Sequence, residues 1–173
     1  KKAIDSKTLD DELIDIRSFS QDKHKTVDDT PFGGGGGMVM KIEPLHDAIG
    51  SALYASPSAN RRIVLTSAAG KKFDNKMAVQ YSLMDHLIIV CGRYKGVDER
   101  VRKFFYLDEV SIGDYIINGG ETAALVMLEA VFRLLPGAIG TIESALSDSF
   151  NDDLLGAPVW TRPAEFLGVS VPD

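Results

Sequence analysis

The eleven residues from Ser111 to Glu121 (SIGDYIINGGE) bring three glycines, an aspartate, a tyrosine and an asparagine together between two apolar segments. Such a stretch is poorly suited to a core element, but it can carry backbone N–H and C=O groups close to a small flat ligand. A second stretch of this kind, Gly92 to Arg100 (GRYKGVDER), lies just upstream, at the end of the apolar run His86–Cys91. Two glycine-punctuated loops at strand ends are expected to share one site, whereas either loop alone reads equally well as a surface turn. Other chemistries lack their residues. No GxxxxGKS or GxxxxGKT string occurs, no GxSxG elbow occurs, and the glycine run Gly33–Gly37 has neither the preceding strand nor the spacing of a dinucleotide fingerprint. His24, His46 and His86 are scattered and Cys91 is the single cysteine, which disfavours a zinc cluster.

The elements that must hold these loops are legible in the apolar pattern. Alternating residues from Leu13 to Phe19 predict a short, partly buried strand. Five successive glycines, Gly33–Gly37, cannot form a regular element. Pro44 fits the first position of a helix whose apolar stripe (Leu45, Ile49, Leu53, with Ala48 and Ala52) ends near Ser56 and Pro57. Ile63–Leu65 reads as a buried strand ending at Thr66 and Ser67, Asp74 as a helix cap, and His86–Cys91 as the next strand. A helix of about twelve residues is expected after Glu121, ending before Pro136. Strands alternating with helices give an α/β domain with a largely parallel sheet, for which general rules of chain topology favour a doubly wound, unknotted arrangement. After Gly140, serine, aspartate and proline dominate, so this tail is expected to wrap over a surface or a neighbouring subunit and add no layer.

With 173 residues and 45% hydrophobic content, one well-cored domain is expected. One cysteine excludes an intrachain disulfide, and no membrane-length apolar run or signal pattern is seen, so a cytoplasmic protein is the expectation. A net charge of −6 argues against a uniformly basic surface for nucleic acid. Arg93, Lys95, Arg100, Arg102 and Lys103 nevertheless fall close together, opposed nearby only by Asp98 and Glu99. They read either as an RNA-facing cluster or as a solvated face of ordinary ion pairs.

Several strings go further. GRYKGVDER, SIGDYIINGGE, FRLLPGAIG (Phe132 to Gly140), DSF (Asp148 to Phe150), TRP (Thr161 to Pro163) and HKTVDDTPFGGGGGMVM (His24 to Met40) resemble, in order and spacing, the bacterial tRNA (guanine-N1)-methyltransferase family of the TrmD type. The resemblance implies a SPOUT-type α/β fold: a parallel sheet flanked by helices, with a deep C-terminal trefoil knot that forms the methyl-donor pocket, in a homodimer. Residues 1–173 would be the N-terminal catalytic domain. The family's extreme N-terminal strand and its C-terminal tRNA-binding domain have no counterpart in the sequence. The implied reaction is S-adenosylmethionine-dependent methylation of N1 of the guanosine just 3′ of the anticodon (position 37) in tRNA, with Mg²⁺ associated with turnover. Alternatives are another knotted RNA methyltransferase of the ribose 2′-O type, or a non-catalytic nucleotide-binding dimerisation module.

Carried over residue by residue, the resemblance places the cofactor among Thr66, Ser67, Gly92, Gly96, Ser111, Ile112, Gly113, Tyr115, Ile117, Gly119 and Gly120. It makes Asp148 the general base that removes the guanine N1 proton, and Arg133 the cation that balances charge on O6. Read without it, these two residues are better explained as a helix cap and a helix C-terminal cation. Asp28 and Asp29 match acids near the target base, and His24 and Lys25 would touch phosphate. Four departures stand out: Lys95 where the family usually has glutamate, Gly36 and Ala123 where it has proline, and SAAG (Ser67–Gly70) for SPQG.

Overall fold

The central strand explains the rest of the fold. The computed structural model describes residues 9–136 and 155–172. In it β3 (Arg61–Lys72) lies between two parallel neighbours, β4 (His86–Val90) and β5 (Asp108–Ser111). Ile63, Val64 and Leu65 are all buried, as a strand covered on both faces requires. Ile63 and Leu65 pack on one side with Ile42, Leu45 and Ile49 of α1 (Ile42–Ala55) and with Val101 of the one-turn α3 (Val101–Phe104). Val64 faces the other side, against Met77, Ala78 and Tyr81 of α2 (Asn75–Ser82) and Met127 and Val131 of α4 (Gly120–Arg133). The result is a mixed α/β domain: a parallel sheet with helices on both faces.

α2 starts where the sequence places a cap, since the Met77 N–H donates to Asp74 Oδ1 at 2.8 Å. Asp74→Ala should lower stability by about 1 kcal/mol, read as a shift in the urea midpoint with an unchanged slope. A midpoint equal to that of the parent would show the cap contributes nothing.

Two local expectations are corrected. Leu13–Phe19 is not a strand. Ile16–Phe19 forms a 3₁₀ turn capped by Asp15, whose Oδ1 accepts from the Arg17 N–H at 3.0 Å, and Leu13 is fully solvent-exposed. The Asp side chain offers the backbone a local bond that competes with strand pairing. Likewise α1 begins at Ile42, so Pro44 is its third residue, not its first. A proline is tolerated there because the first-turn N–H groups have no partner within the helix.

Two small antiparallel hairpins complete the description. β1 (Asp28–Asp29) pairs with β2 (Val39–Met40), and β6 (Glu165–Phe166) pairs with β7 (Val169–Ser170). Residues 155–170 are exposed throughout and add no layer to the fold.

Candidate functional site

Because the three sheet strands are parallel, their C-terminal ends share one edge, the place where open α/β sheets bind ligands. Gly92–Arg100 and Ile112–Gly119 leave β4 and β5 at that edge, and Thr66 and Ser67 lie beside them where β3 shifts its register with β5. Thr66 and Ser111 are the only buried polar side chains among the described residues, and both need partners. Thr66 Oγ1 donates to the Val90 carbonyl at 3.1 Å and accepts from the Gly92 N–H at 3.3 Å. Ser111 Oγ donates to the Gly113 carbonyl at 3.0 Å and accepts from the Gly113 N–H at 3.2 Å. Thr66 thus ties β3 to the end of β4 and the loop that follows it, and Ser111 ties the end of β5 to its own loop.

The glycines bring the loops into contact. Gly120 opens α4 and donates its N–H to the Gly92 carbonyl at 2.8 Å, while Gly119 bridges Arg93. A Cβ on Gly120 would overlap Thr66 Oγ1 and lie 2.9 Å from both Cys91 Cα and Gly92 N. Gly113 adopts φ +154°, and a Cβ there would meet the Tyr115 ring, which folds back over it with Cδ1 at 3.1 Å. Gly96, at φ +123°, has open space around it, so conformation and not crowding selects glycine. Beside these loops lies an open cleft of about 500 Å³ lined by Arg93, Ile116, Ile117, Asn118, Gly119 and Glu121.

Arg93 and Glu121, which the sequence reading did not assign to the site, face each other across that cleft, Nε to Oε1 at 2.8 Å. Glu121 is held below the usual carboxylate range first by its own N–H at the start of α4 and then by Arg93. Their positions beside the glycines of two loops were the available signal. Underneath, burial and then the Glu121 carboxylate push the Cys91 thiol up to about 11, with Arg93 acting in the opposite sense. Cys91 should therefore remain a thiol at pH 8. Its alkylation by iodoacetamide there should be slower than that of a free cysteine by on the order of a hundredfold. Alkylation at the free-thiol rate would show that this face of the site is open.

The basic cluster is mostly neutralised. Arg93 pairs with Glu121, Arg100 with Asp98, and Arg102 with both Glu99 and Glu109. Lys95 and Lys103 have no ion-pair partner among the described residues. The Lys95 stem lies along Gly37, where a Cβ would be 3.0 Å from Lys95 Cε.

The N-terminal residues reach the same place. The Lys95 N–H donates to the Met38 carbonyl, the Met40 N–H to Gly96, and the Asp98 N–H to Met40, each at 3.0 Å. β2 is thereby laced to the Gly92–Asp98 loop, and its partner β1 carries Asp28, half-buried, and Asp29, exposed. His24 is exposed on a turn closed by Asp22, whose Oδ1 accepts from the His24 N–H at 2.8 Å. Asp22 is held well below the usual carboxylate range, first by the Thr26 hydroxyl and then by backbone N–H groups. Arg133 is different. It ends α4, and a rise of 1.5 Å per residue puts it roughly 20 Å along the helix from Gly120, so one chain does not bring it to the glycine loops. Asp148 lies outside the described residues.

Together these elements define an α/β protein whose glycine-bearing loops meet beside the ends of its parallel strands. A family model described as tRNA (Guanine-1)-methyltransferase TrmD matches residues 1–173. A tRNA (guanine-N(1)-)-methyltransferase of Listeria welshimeri serovar 6b is 46% identical over 173 residues, which is 100% of this chain and 71% of the relative. Proteins of the same name from Geotalea uraniireducens (49% over 172 residues, 99% of this chain, 69% of the relative) and Geobacillus kaustophilus (47% over 173 residues, 100% and 70%) agree. The chain belongs to the TrmD family of tRNA (guanine-1)-methyltransferases.

Proposed function

We propose that this protein methylates N1 of the guanosine just 3′ of the anticodon in tRNA, using S-adenosylmethionine. The observation that carries the reading is the convergence of three glycine- or serine-bearing loops on one sheet edge, in a chain matched over its whole length by this family. The site fits such a donor. Gly113, Gly119 and Gly120 stand where a Cβ would strike neighbouring atoms of these loops, so glycine lets the loops close on one another, and in this reading they line the donor pocket with Thr66, Ser67, Gly92, Gly96, Ser111, Ile112, Tyr115 and Ile117. When bound, S-adenosylmethionine supplies an electrophilic methyl on a sulfonium and leaves as the thioether.

The chain's residues then have to prepare the nucleophile. Guanine N1 bears a proton at neutral pH, and Asp148 accepts it as the new N1–C bond forms. The Arg133 guanidinium balances the negative charge that develops on O6. Asp28 and Asp29 face the base edge, and His24 and Lys25 contact phosphate.

In this reading the fold carries the family's trefoil knot, and the enzyme works as a homodimer. Residues after Gly140 of one copy complete the loops of the other, which also accounts for an exposed tail bearing Trp160, Phe166 and Val169. Mg²⁺ would assist turnover. Among the described residues no group of three His, Cys, Asp or Glu could hold a metal.

Calorimetric titration with S-adenosylmethionine, followed by mass spectrometry of tRNA incubated with protein and donor, tests the reading. Saturable binding and a methyl group on guanine N1 are expected. A methyl on a ribose 2′-oxygen, or no donor binding at all, would overturn it. Sedimentation should show a dimer at micromolar concentration, and a monomer with normal donor binding would remove the shared site.

A further inference from the structure

β3 leaves its ladder with β5 after Thr66 and rejoins it at Lys71, both residues pairing with Val110, so that Ser67–Gly70 stand out of the sheet between them. The return limb is pinned by close approach: a Cβ on Gly70 would lie 2.5 Å from Glu109 C and 2.7 Å from Glu109 O. The outgoing limb is held by side chains. Ser67 Oγ accepts from the Ala69 N–H at 3.2 Å, and the Ser67 hydroxyl, after Arg102, helps hold the Glu109 carboxylate below its usual range. Glu109 is gripped in turn by the fork of Arg102, Nη2 to Oε1 at 2.7 Å and Nε to Oε2 at 3.2 Å. A third N–H of the same guanidinium reaches Glu99 at 2.5 Å.

Exposure decides which of these bonds matters. The Arg102 and Glu109 side chains are 28% and 25% exposed, whereas Glu99 is 78% exposed, so its contact is a screened surface pair. Two-point geometry and partial shielding make Arg102–Glu109 the stronger link. That link fixes Glu109, whose backbone backs Gly70 and whose carboxylate the Ser67 hydroxyl helps hold, at one wall of the candidate donor site. We propose that Arg102, through Glu109, is a positioning residue that presets the Ser67–Gly70 wall for the methyl donor. A wall ordered in advance lowers the ordering cost on binding. The inference rests on the S-adenosylmethionine reading above, but the order of the wall can be measured without any ligand.

Hydrogen exchange on the donor-free protein is the first measurement. Arg102→Met keeps the stem and removes the fork, so the backbone amides of Ala68, Ala69 and Gly70 should exchange about tenfold faster, while those of α2 and β4 do not change. Glu109→Gln, which keeps the shape and drops the charge, should show the same local acceleration and provides a second variant should the first fold poorly. Calorimetry with S-adenosylmethionine is the second measurement. Arg102→Met should raise Kd about tenfold, and Arg102→Lys should do nearly the same because an ammonium lacks the fork. In a Ser67→Ala background, Arg102→Met should have a smaller further effect than in the parent, since one of the two contacts between Glu109 and the wall is gone. Unchanged exchange at residues 68–70 in both single variants, or additive losses of affinity in the double variant, would overturn the proposal. If the parent protein bound no S-adenosylmethionine, the functional reading would fall, and the exchange rates would still decide whether Arg102 orders this wall.

Discussion

Replacing Asp148 with asparagine should lower single-turnover methyl transfer to guanine N1 by about 10²-fold or more and leave S-adenosylmethionine affinity unchanged. Asparagine reproduces the size and the acceptor oxygen of aspartate, but it cannot take a proton. An aspartate of ordinary pKa near 3.9 is ionised at neutral pH and is ready to act as base. The variant's rate should climb with pH wherever the guanine can lose its N1 proton without help. Arg133→Lys should also slow transfer, because a point charge cannot match the planar fork over O6. A near-normal single-turnover rate for Asp148→Asn at neutral pH would remove Asp148 from the role of base. Asp28 or Asp29, on the hairpin laced to the Gly92 loop, would then take its place.

Gly120→Ala should be strongly damaging, costing about 3 kcal/mol or more and lowering Tm by on the order of 10 °C. The added methyl would overlap Thr66 Oγ1 and lie 2.9 Å from Cys91 Cα and Gly92 N, two backbone atoms that cannot rotate aside. Nor can the helix start retreat without giving up the 2.8 Å bond from Gly120 N to the Gly92 carbonyl. Gly119→Ala is the control, since its obstacles are the ends of the Glu121 and Arg93 side chains, which can swing away. It should lose little more than a half-exposed ion pair, up to about 1 kcal/mol, and act mainly on the cleft. Thermal melts of the two variants decide the matter, and a Gly120→Ala protein that melts with the parent would show that the three loops do not meet as described.

Burial by periodicity is what made the frame legible. α1, β4 and α4 each carry enough apolar residues to announce their type, and Asp74 stands where a cap is needed. Leu13–Phe19 misled because alternation implies a strand only if one face is covered, and Leu13 faces water. The far end of β3 was not legible either. Lys71 and Lys72 have no apolar signal and are strand only because Val110 and Ser111 pair with them. The charges show the same limit: Asp98 and Glu99 were visible as local partners, whereas Glu109 and Glu121 come from other elements and neutralise Arg102 and Arg93 only once the chain has folded. The glycine loops could be picked out one by one, but their unequal roles depend on which backbone passes behind each.

The lacing of β2 to the Gly92–Asp98 loop bears on the order in which the molecule assembles. The Arg93 N–H reaches Met40 Sδ at 3.3 Å across 53 positions, and the neighbouring bonds to Met38 and Met40 span similar lengths of chain. Contacts so distant in sequence must wait for a large loop to close, and the parallel strands they flank are themselves slow to pair. We therefore expect this corner to form after the transition state for folding. Met40→Ala should speed unfolding in a stopped-flow chevron and barely change refolding, whereas a slower refolding limb would place the corner in the nucleus.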